Sequence, residues 1–274
     1  MPGANERALE KTKTIDADAL ILDLEDSVAP DAKDAARERV CAAVKTGGYG
    51  RRELVIRINA LDTPWGVSDL VAAAQTACDA VLIPKVSDPT HILHAASSLT
   101  GGTRLWAMME TPLAILSARD IAAAARDPAA RLDCFVLGTN DLVKDIRAKQ
   151  SADRMALLPS LATVILAARA FGLDVIDGVY NDFKDEPGFR AECEQGRLLG
   201  MDGKTLIHPS QVELCNTIFS PAPDEIAWAA KIVAAFDLPG NAGKGVITVD
   251  GKMVERLHLD MAMRTLAIAR SVGA

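Results

Sequence analysis

The 274-residue chain is 49% hydrophobic but only 4% aromatic, with a formal net charge of −7 and five cysteines that show no C-x-x-C spacing. The acidity removes the electrostatic case for nucleic acid as a partner, and the aliphatic bias suits an α/β protein with buried parallel strands. No apolar run is long enough to span a bilayer and the polar start NERALEKTK is not a signal peptide, so the expected setting is cytoplasmic, with no membrane and with reduced thiols.

In chain order, NERALEKTKTID reads as a helix, and Met1-Pro2-Gly3 reads as the loop after a strand that is missing. ALILDL (19–24) is then followed by the helical PDAKDAARERVCAAVK, with Pro30 and Asp31 suited to a first turn. ELVIRIN (53–59) precedes WGVSDLVAAAQTA, AVLIPK (80–85) precedes PTHILHAASSL, and RLWAMME (104–110) precedes TPLAILSARDIAAAA. CFVLGTND (134–141) leads through a polar loop to LPSLATVILAARAFG; DVIDGV (174–179) precedes EPGFRAECEQGRLLG, and GKTLIH (203–208) precedes PSQVELCNTIF.

Seven strand–helix units at near-regular spacing predict a (β/α)8 TIM barrel whose first strand is missing or truncated, which would leave an unpaired sheet edge. The expected organisation is a catalytic barrel over residues 1–220 and a C-terminal helical extension, or lid, over 221–274. Within the extension, the glycine-rich Gly243–Gly251 reads as a hinge before a helix beginning near Met253.

The last residues of the strands carry the polar chemistry: Asp23/Glu25/Asp26, Arg57/Asn59, Lys85, Glu110, Asn140/Asp141, Asp177 and His208. In a barrel these converge on the C-terminal rim, where active sites lie. Glu110 and Asp141 end neighbouring strands about 5 Å apart, so their carboxylates can share one cation. Two carboxylates with positions left for water and substrate is a usual arrangement for Mg²⁺. The competing readings are a helix N-terminal acid for Glu110 and an ordinary loop residue for Asp141; their pairing favours the metal site. Arg57 is an isolated cation at a buried strand end, able to pair with Glu25 and Asp26 and also to present its fork to a substrate. His208 reads as a packed residue, and no G-x-G-x-x-G after a strand, P-loop or G-x-S-x-G is present.

The segments MPGANERALEK, DALILDLEDSVAPDAKDAAR, IRINALDTPWG, VLIPKVSD, METPLAI, LGTNDL and KTLIHPSQV, in this order over residues 1 to about 211, resemble the citrate lyase β-subunit-like group of the HpcH/HpaI aldolase family. That group includes malyl-CoA and citramalyl-CoA lyases. The resemblance implies a Mg²⁺-dependent lyase that cleaves or forms a 3-hydroxyacyl-CoA thioester by a retro-Claisen, aldol-type reaction. It puts the metal on Glu110 and Asp141, substrate binding on Arg57 and Glu110, and Glu25 and Asp26 behind them. Breaking a carbon–carbon bond places charge on oxygen, which a Lewis acid and a guanidinium stabilise.

The group's lid motif appears here as Gly251-Lys252-Met253-Val254-Glu255, with Glu where the family has Asp. The resemblance makes Glu255 a catalytic carboxylate reaching a neighbouring subunit's site in a homotrimer or homohexamer; otherwise it is a helix N-terminal acid. The alternatives within this resemblance are a malyl-CoA thioesterase on the same scaffold, a pyruvate-type aldolase acting on free hydroxy-acids, and a citrate lyase β subunit that needs partner subunits.

Overall fold

Each of the seven runs contains a parallel strand, but the last is only Gly203–Lys204, so Leu206, Ile207 and His208 lie beyond its end. A computed structural model describes residues 1–273. The elements in order are α1 (Glu6–Thr12), β1 (Ala19–Asp23), α2 (Lys33–Thr46), β2 (Glu53–Arg57), α3 (Gly66–Ala74), β3 (Ala80–Ile83), α4 (Pro89–Ser98), β4 (Arg104–Met109), α5 (Pro112–Leu116), α6 (Ala118–Ala123), β5 (Leu132–Leu137), α7 (Thr139–Asp145), α8 (Leu158–Ala170), β6 (Asp174–Asp177), α9 (Glu186–Leu199), β7 (Gly203–Lys204), α10 (Val212–Phe219), α11 (Pro223–Asp237), β8 (Val246–Val249), β9 (Lys252–Glu255) and α12 (Arg256–Val272). The first seven strands form one sheet in sequence order, β1 to β7, each neighbour parallel to the last. This is a TIM-barrel-like α/β fold with a helical C-terminal region. Among the described residues no helix is long and apolar enough to cross a membrane.

The chain divides into two compact units, Met1–Cys215 and Asn216–Ala274. In the first, both sheet faces are buried. Val55, Ala80, Leu82, Trp106, Met108, Cys134 and Val136 pack together with Ala19, Ile21 and Ile176 on the inner face. The alternate residues Leu22, Ile56, Val81, Ile83, Leu105, Phe135 and Val175 are fully buried on the other. Side chains alternate along a strand, so the period that points Ile21, Val55 and Met108 inward also points Asp23, Arg57 and Glu110 inward, one step beyond the apolar layer. The strand alignment places Asp23 directly opposite Arg57.

The expected bare edge is partly covered. Met1–Gly3 runs parallel to β1: the Met1 amine donates to the Ile21 carbonyl at 2.6 Å, the Asp23 amide donates to Met1 at 2.8 Å, and the Gly3 amide donates to Asp23 at 2.9 Å. A Cβ at Gly3 would lie 2.7 Å from the Asp23 carbonyl oxygen, so this approach requires glycine. Within Met1-Pro2-Gly3, read as a loop, Pro2 forms a single parallel bridge with Asp23.

In the second unit, the segment read as a glycine-rich hinge is largely an antiparallel hairpin, β8–β9. Its turn residues Asp250 and Gly251 both have positive φ, the backbone that Asp-Gly favours in a tight hairpin. Ile247, Val249 and Val254 pack with Ala229, Ile232, Phe236 and Ala262 as this unit's own core. α12 therefore starts at Arg256, after Met253–Glu255 have ended β9.

The loop after β2 is held by a buried carboxylate. Asp69 on α3 accepts hydrogen bonds from the Asn59 amide (3.0 Å), the Asn59 side chain (2.6 Å) and Arg37 Nε (2.8 Å), while Asn59 Nδ2 also donates to the Leu24 carbonyl at 2.9 Å. Removing one member leaves buried donors without an acceptor. Asp69→Ala is therefore expected to destabilise the fold by about 2–4 kcal/mol, read by urea unfolding; a loss of under about 0.5 kcal/mol, the size of an ordinary surface change, would contradict this.

Candidate active site

Asp23 and Arg57 form a two-point fork at the ends of β1 and β2, with Nε 2.6 Å from Oδ1 and Nη2 2.7 Å from Oδ2. Asp23 also accepts the Glu25 amide (2.9 Å) and the Ser27 amide (3.1 Å), which shapes the acidic turn that follows. Burial alone would push its carboxyl up, but the Arg57 guanidinium outweighs that and holds it at about 2.

The remaining arm of Arg57, Nη1, lies 2.9 Å from Glu25 Oε2 and 3.5 Å from Asp26 Oδ2. Although close, Nη1 is misaligned with Glu25, whose buried Oε2 accepts no hydrogen bond. Burial pushes the Glu25 carboxyl up to about 7; Arg57 and Lys85 pull it down while Asp26 and Glu110 push it up. Lys33 Nζ fixes the backbone here by donating to the Leu24 and Glu25 carbonyls at 2.9 and 2.7 Å. Asp26 projects outward with its side chain 67% exposed. The two residues expected to act together thus stand in different surroundings.

Glu110 is buried where β4 gives way to α5. Thr111 caps that helix by accepting the Ala114 amide at 3.1 Å, and Pro112 occupies its first turn. Burial pushes the Glu110 carboxyl up against the pull of Lys85. Gly138, at the end of the neighbouring β5, makes room for it: a Cβ there would lie 2.4 Å from Glu110 Cβ and 2.6 Å from Oε2. Asp141 follows in the first turn of α7, where a helix N-terminus favours negative charge. Burial opposes ionisation of Asp141, but Lys85 and Lys144 hold its carboxyl below the ordinary range.

One ammonium links these groups. Lys85 Nζ bonds Asp141 Oδ2 and lies 3.8 Å from Glu110 Oε1 and 4.0 Å from Glu25 Oε1, while the Lys85 amide donates to Glu110 Oε1 at 2.8 Å. Glu25, Glu110 and Asp141 therefore share the Lys85 ammonium, with Arg57 Nη1 nearer to Glu25 and Lys144 flanking Asp141. The donor set is all oxygen, one buried carboxylate oxygen accepts no hydrogen bond, and a cation already stands between the acids; this fits a hard divalent ion. Among the described residues no three metal-ligating side chains form a ready-made cage, so such an ion would complete its shell with water and substrate.

Other strand-end residues have structural roles. Asp177 is fully buried, with Arg154 Nη1 at 2.7 Å and Lys204 Nζ at 3.1 Å; Lys204 also reaches Glu192 at 2.6 Å. His208 Nδ1 accepts the Ser210 amide at 3.2 Å, and its ring stacks on Phe183 at 4.5 Å. Asn140 pairs through its amide with Asn181. Glu255 lies in the other unit at the start of α12, its amide donating to His258 Nδ1 at 2.9 Å. The sequence reading missed Asp23 as the main partner of Arg57, the central place of Lys85, and the need for Gly138. Continuing the strand alternation past Ile21 and Val55 identifies the first of these.

Residues 1–209 match the HpcH/HpaI aldolase/citrate lyase family. The chain belongs to that family. Among its relatives, a (3S)-malyl-CoA thioesterase of Cereibacter sphaeroides is 50% identical over 274 residues, covering 100% of this chain and 94% of the relative. Citrate lyase subunit β of Escherichia coli is 35% identical over 283 residues, covering 100% and 92%. Among solved structures, Mycobacterium tuberculosis CitE in complex with magnesium, acetoacetate and coenzyme A superposes with a TM-score of 0.78 at 28% identity, over 98% of this chain and 96% of that one. The citrate lyase β subunit of the same organism, complexed with oxaloacetate and magnesium, gives 0.69 at 30% identity over 81% and 95%.

Two expectations follow from the site. Gly138→Ala should displace Glu110 and lower stability by about 1–3 kcal/mol, the usual cost of overpacking, measured by thermal melting; an unchanged melt with an unmoved Glu110 would contradict it. The two strand-end carboxyls also act oppositely on pH. Asp23, held low, stabilises the fold above pH about 4, and that contribution is lost as pH falls to about 2. Glu25, held high, stabilises the fold below its ordinary 4.5, and that contribution is lost as pH rises through about 7. In metal-free buffer, Glu25→Gln should therefore flatten the fall in stability between pH 5 and 8 by up to about 3 kcal/mol. An unaltered slope in denaturant titrations across that range would contradict this assignment.

Proposed function

We propose that this protein hydrolyses the thioester of a malyl-CoA-type substrate, releasing free CoA and the hydroxy-dicarboxylic acid, with Mg²⁺ held by Glu110 and Asp141. The convergence of Glu25, Glu110 and Asp141 on one cationic position at the strand ends carries this reading. Identity of 50% along the whole chain to a malyl-CoA thioesterase, against 35% to a citrate lyase β subunit, favours hydrolysis over carbon–carbon cleavage. Magnesium, acetoacetate and coenzyme A bound together in a structure of the same fold support the metal and the substrate class.

Bound Mg²⁺ supplies Lewis acidity toward the substrate oxygens and fixes their orientation. Arg57, with Nε and Nη2 committed to Asp23, presents Nη1 beside Glu25 and offers that cationic edge of the site to the substrate's negative oxygens. Glu25, buried beside the metal ligands and with an Oε2 that accepts no hydrogen bond, is the carboxylate placed to take a proton from water. Five free thiols fit a reducing, cytoplasmic setting.

The second reading is a CoA-ester lyase, favoured by the lid motif Gly251–Glu255. In that case Glu255 supplies a carboxylate to a neighbouring subunit's site, and the protein assembles as a trimer or hexamer.

The discriminating assay offers malyl-, methylmalyl- and citramalyl-CoA with Mg²⁺ and quantifies free CoA, acetyl- or propionyl-CoA, and glyoxylate or pyruvate separately. Hydrolysis gives free CoA with no keto-acid; equimolar acyl-CoA and keto-acid instead establishes the lyase. Asp141→Ala and Glu110→Gln should each lower Mg²⁺-stimulated turnover by at least about 100-fold, and undiminished turnover in excess EDTA would defeat the metal assignment. Arg57→Lys should cost at least about tenfold although the charge is kept, because a lysine cannot reproduce the fork. Near-normal kinetics there would reduce Arg57 to a structural ion pair.

A further inference from the structure

Lys85 is the residue that the proposed chemistry leaves unexplained. Its backbone is in the left-handed region, φ 53°, which residues with a Cβ adopt against steric resistance and which clusters at functional sites. That conformation aims its amide at Glu110 Oε1, 2.8 Å away. The side chain then carries Nζ onto Asp141 Oδ2, 3.8 Å from Glu110 Oε1 and 4.0 Å from Glu25 Oε1. Backbone and side chain of one residue thus engage the carboxylates that follow β1, β4 and β5.

Glu25 and Glu110 are buried, and like charges held this close cannot all stay ionised without a cation. In the metal-free protein the Lys85 ammonium meets that need between all three acids, with Arg57 beside Glu25 alone. It carries a single charge at the end of a flexible stem, and the Lys85 side chain is 41% exposed, so a path to solvent is open. Arginine would hold the same acids in a fixed fork, whereas lysine holds them as a movable point charge.

We propose that Lys85 is an internal cation that exchanges with the divalent metal: its ammonium holds the three carboxylates together in the metal-free protein and leaves them when the ion binds. This rests on the assignment of Glu110 and Asp141 as metal ligands. An ammonium and a divalent ion on the same oxygens repel, so the two cations are alternatives and Lys85 weakens metal binding. Lys144 is the natural control. It carries the same charge, lies 3.6 Å from Asp141 Oδ1 and is 70% exposed, bordering that carboxylate from solvent.

The test titrates Mn²⁺, as a probe for Mg²⁺, into the EDTA-stripped full-length protein by calorimetry or electron paramagnetic resonance, with parallel melts in EDTA and in Mn²⁺. Lys85→Met should bind Mn²⁺ at least about tenfold tighter than wild type, melt lower in EDTA, and gain more from added Mn²⁺. Lys144→Met should change the affinity by less than about threefold, as a screened surface charge does. Should Lys85→Met not fold without metal, Lys85→Gln takes its place with the same expected direction. Equal or weaker binding by the Lys85 variant overturns the exchange, as does an equal gain in both variants, which would mark a general charge effect. A wild-type protein that binds no Mn²⁺ instead defeats the metal assignment itself, before any variant is compared.

Discussion

The fork between Asp23 and Arg57 is the interaction on which the rest of the site depends. The alternation that packs Ile21 and Val55 into the core turns Asp23 and Arg57 inward too, and the strand register sets them opposite each other. A buried carboxylate or guanidinium alone is costly, while the aligned pair satisfies both. Once formed, the fork shapes the Glu25–Ser27 turn through the Asp23 oxygens and leaves Nη1 to face Glu25. Asp23 is thereby fully used and Glu25 incompletely satisfied, which explains why one carboxyl is held near 2 and the other near 7. A fold that neutralised both would leave nothing for a ligand to complete.

The barrel and its working end were legible in the sequence because they rest on local signals. Aliphatic runs of four to six residues, each followed by a helix-period segment, could hardly be anything but parallel strands buried on both faces. Glu110 and Asp141 were found as a pair because adjacent strands bring their ends together whatever the side chains do. The partners were harder to see. Reading strand ends as lists of polar residues grouped Glu25 with Asp26, although one is buried and the other exposed, and gave Asp177 a place at the rim when Arg154 and Lys204 bury it. Arg154 comes from a loop and Lys204 from another strand, so no local pattern joins them to Asp177. The hairpin β8–β9 was misread for a different reason: its strands are four residues long, and the neighbouring glycines obscured the alternation of Val246–Val249 and the Asp-Gly turn.

The two ends of the sheet treat acidic residues differently. At the strand starts, Asp79 accepts the Leu54 amide and Asp202 accepts the Val175 amide, each at 2.7 Å, which closes the ladder between neighbouring strands, and Asp202 also pairs with Arg169. At the strand ends, Glu25, Glu110 and Asp141 gather around a lysine ammonium that can move. Acidic character by itself therefore does not mark the site. What marks it is three carboxylates from different strand ends lying near one lysine ammonium, with Gly138 making the space that lets Glu110 approach.

The most direct test of this account is the position of Mn²⁺ in crystals of the metal-loaded protein, located by its anomalous scattering. The account predicts one strong peak bonded to Glu110 and Asp141, with the Asp23–Arg57 fork intact and the Lys85 ammonium moved away. A peak among the acids at the strand starts, near Glu53, Asp79 and Asp133, or a peak at the strand ends with Lys85 still seated on Asp141, would contradict it.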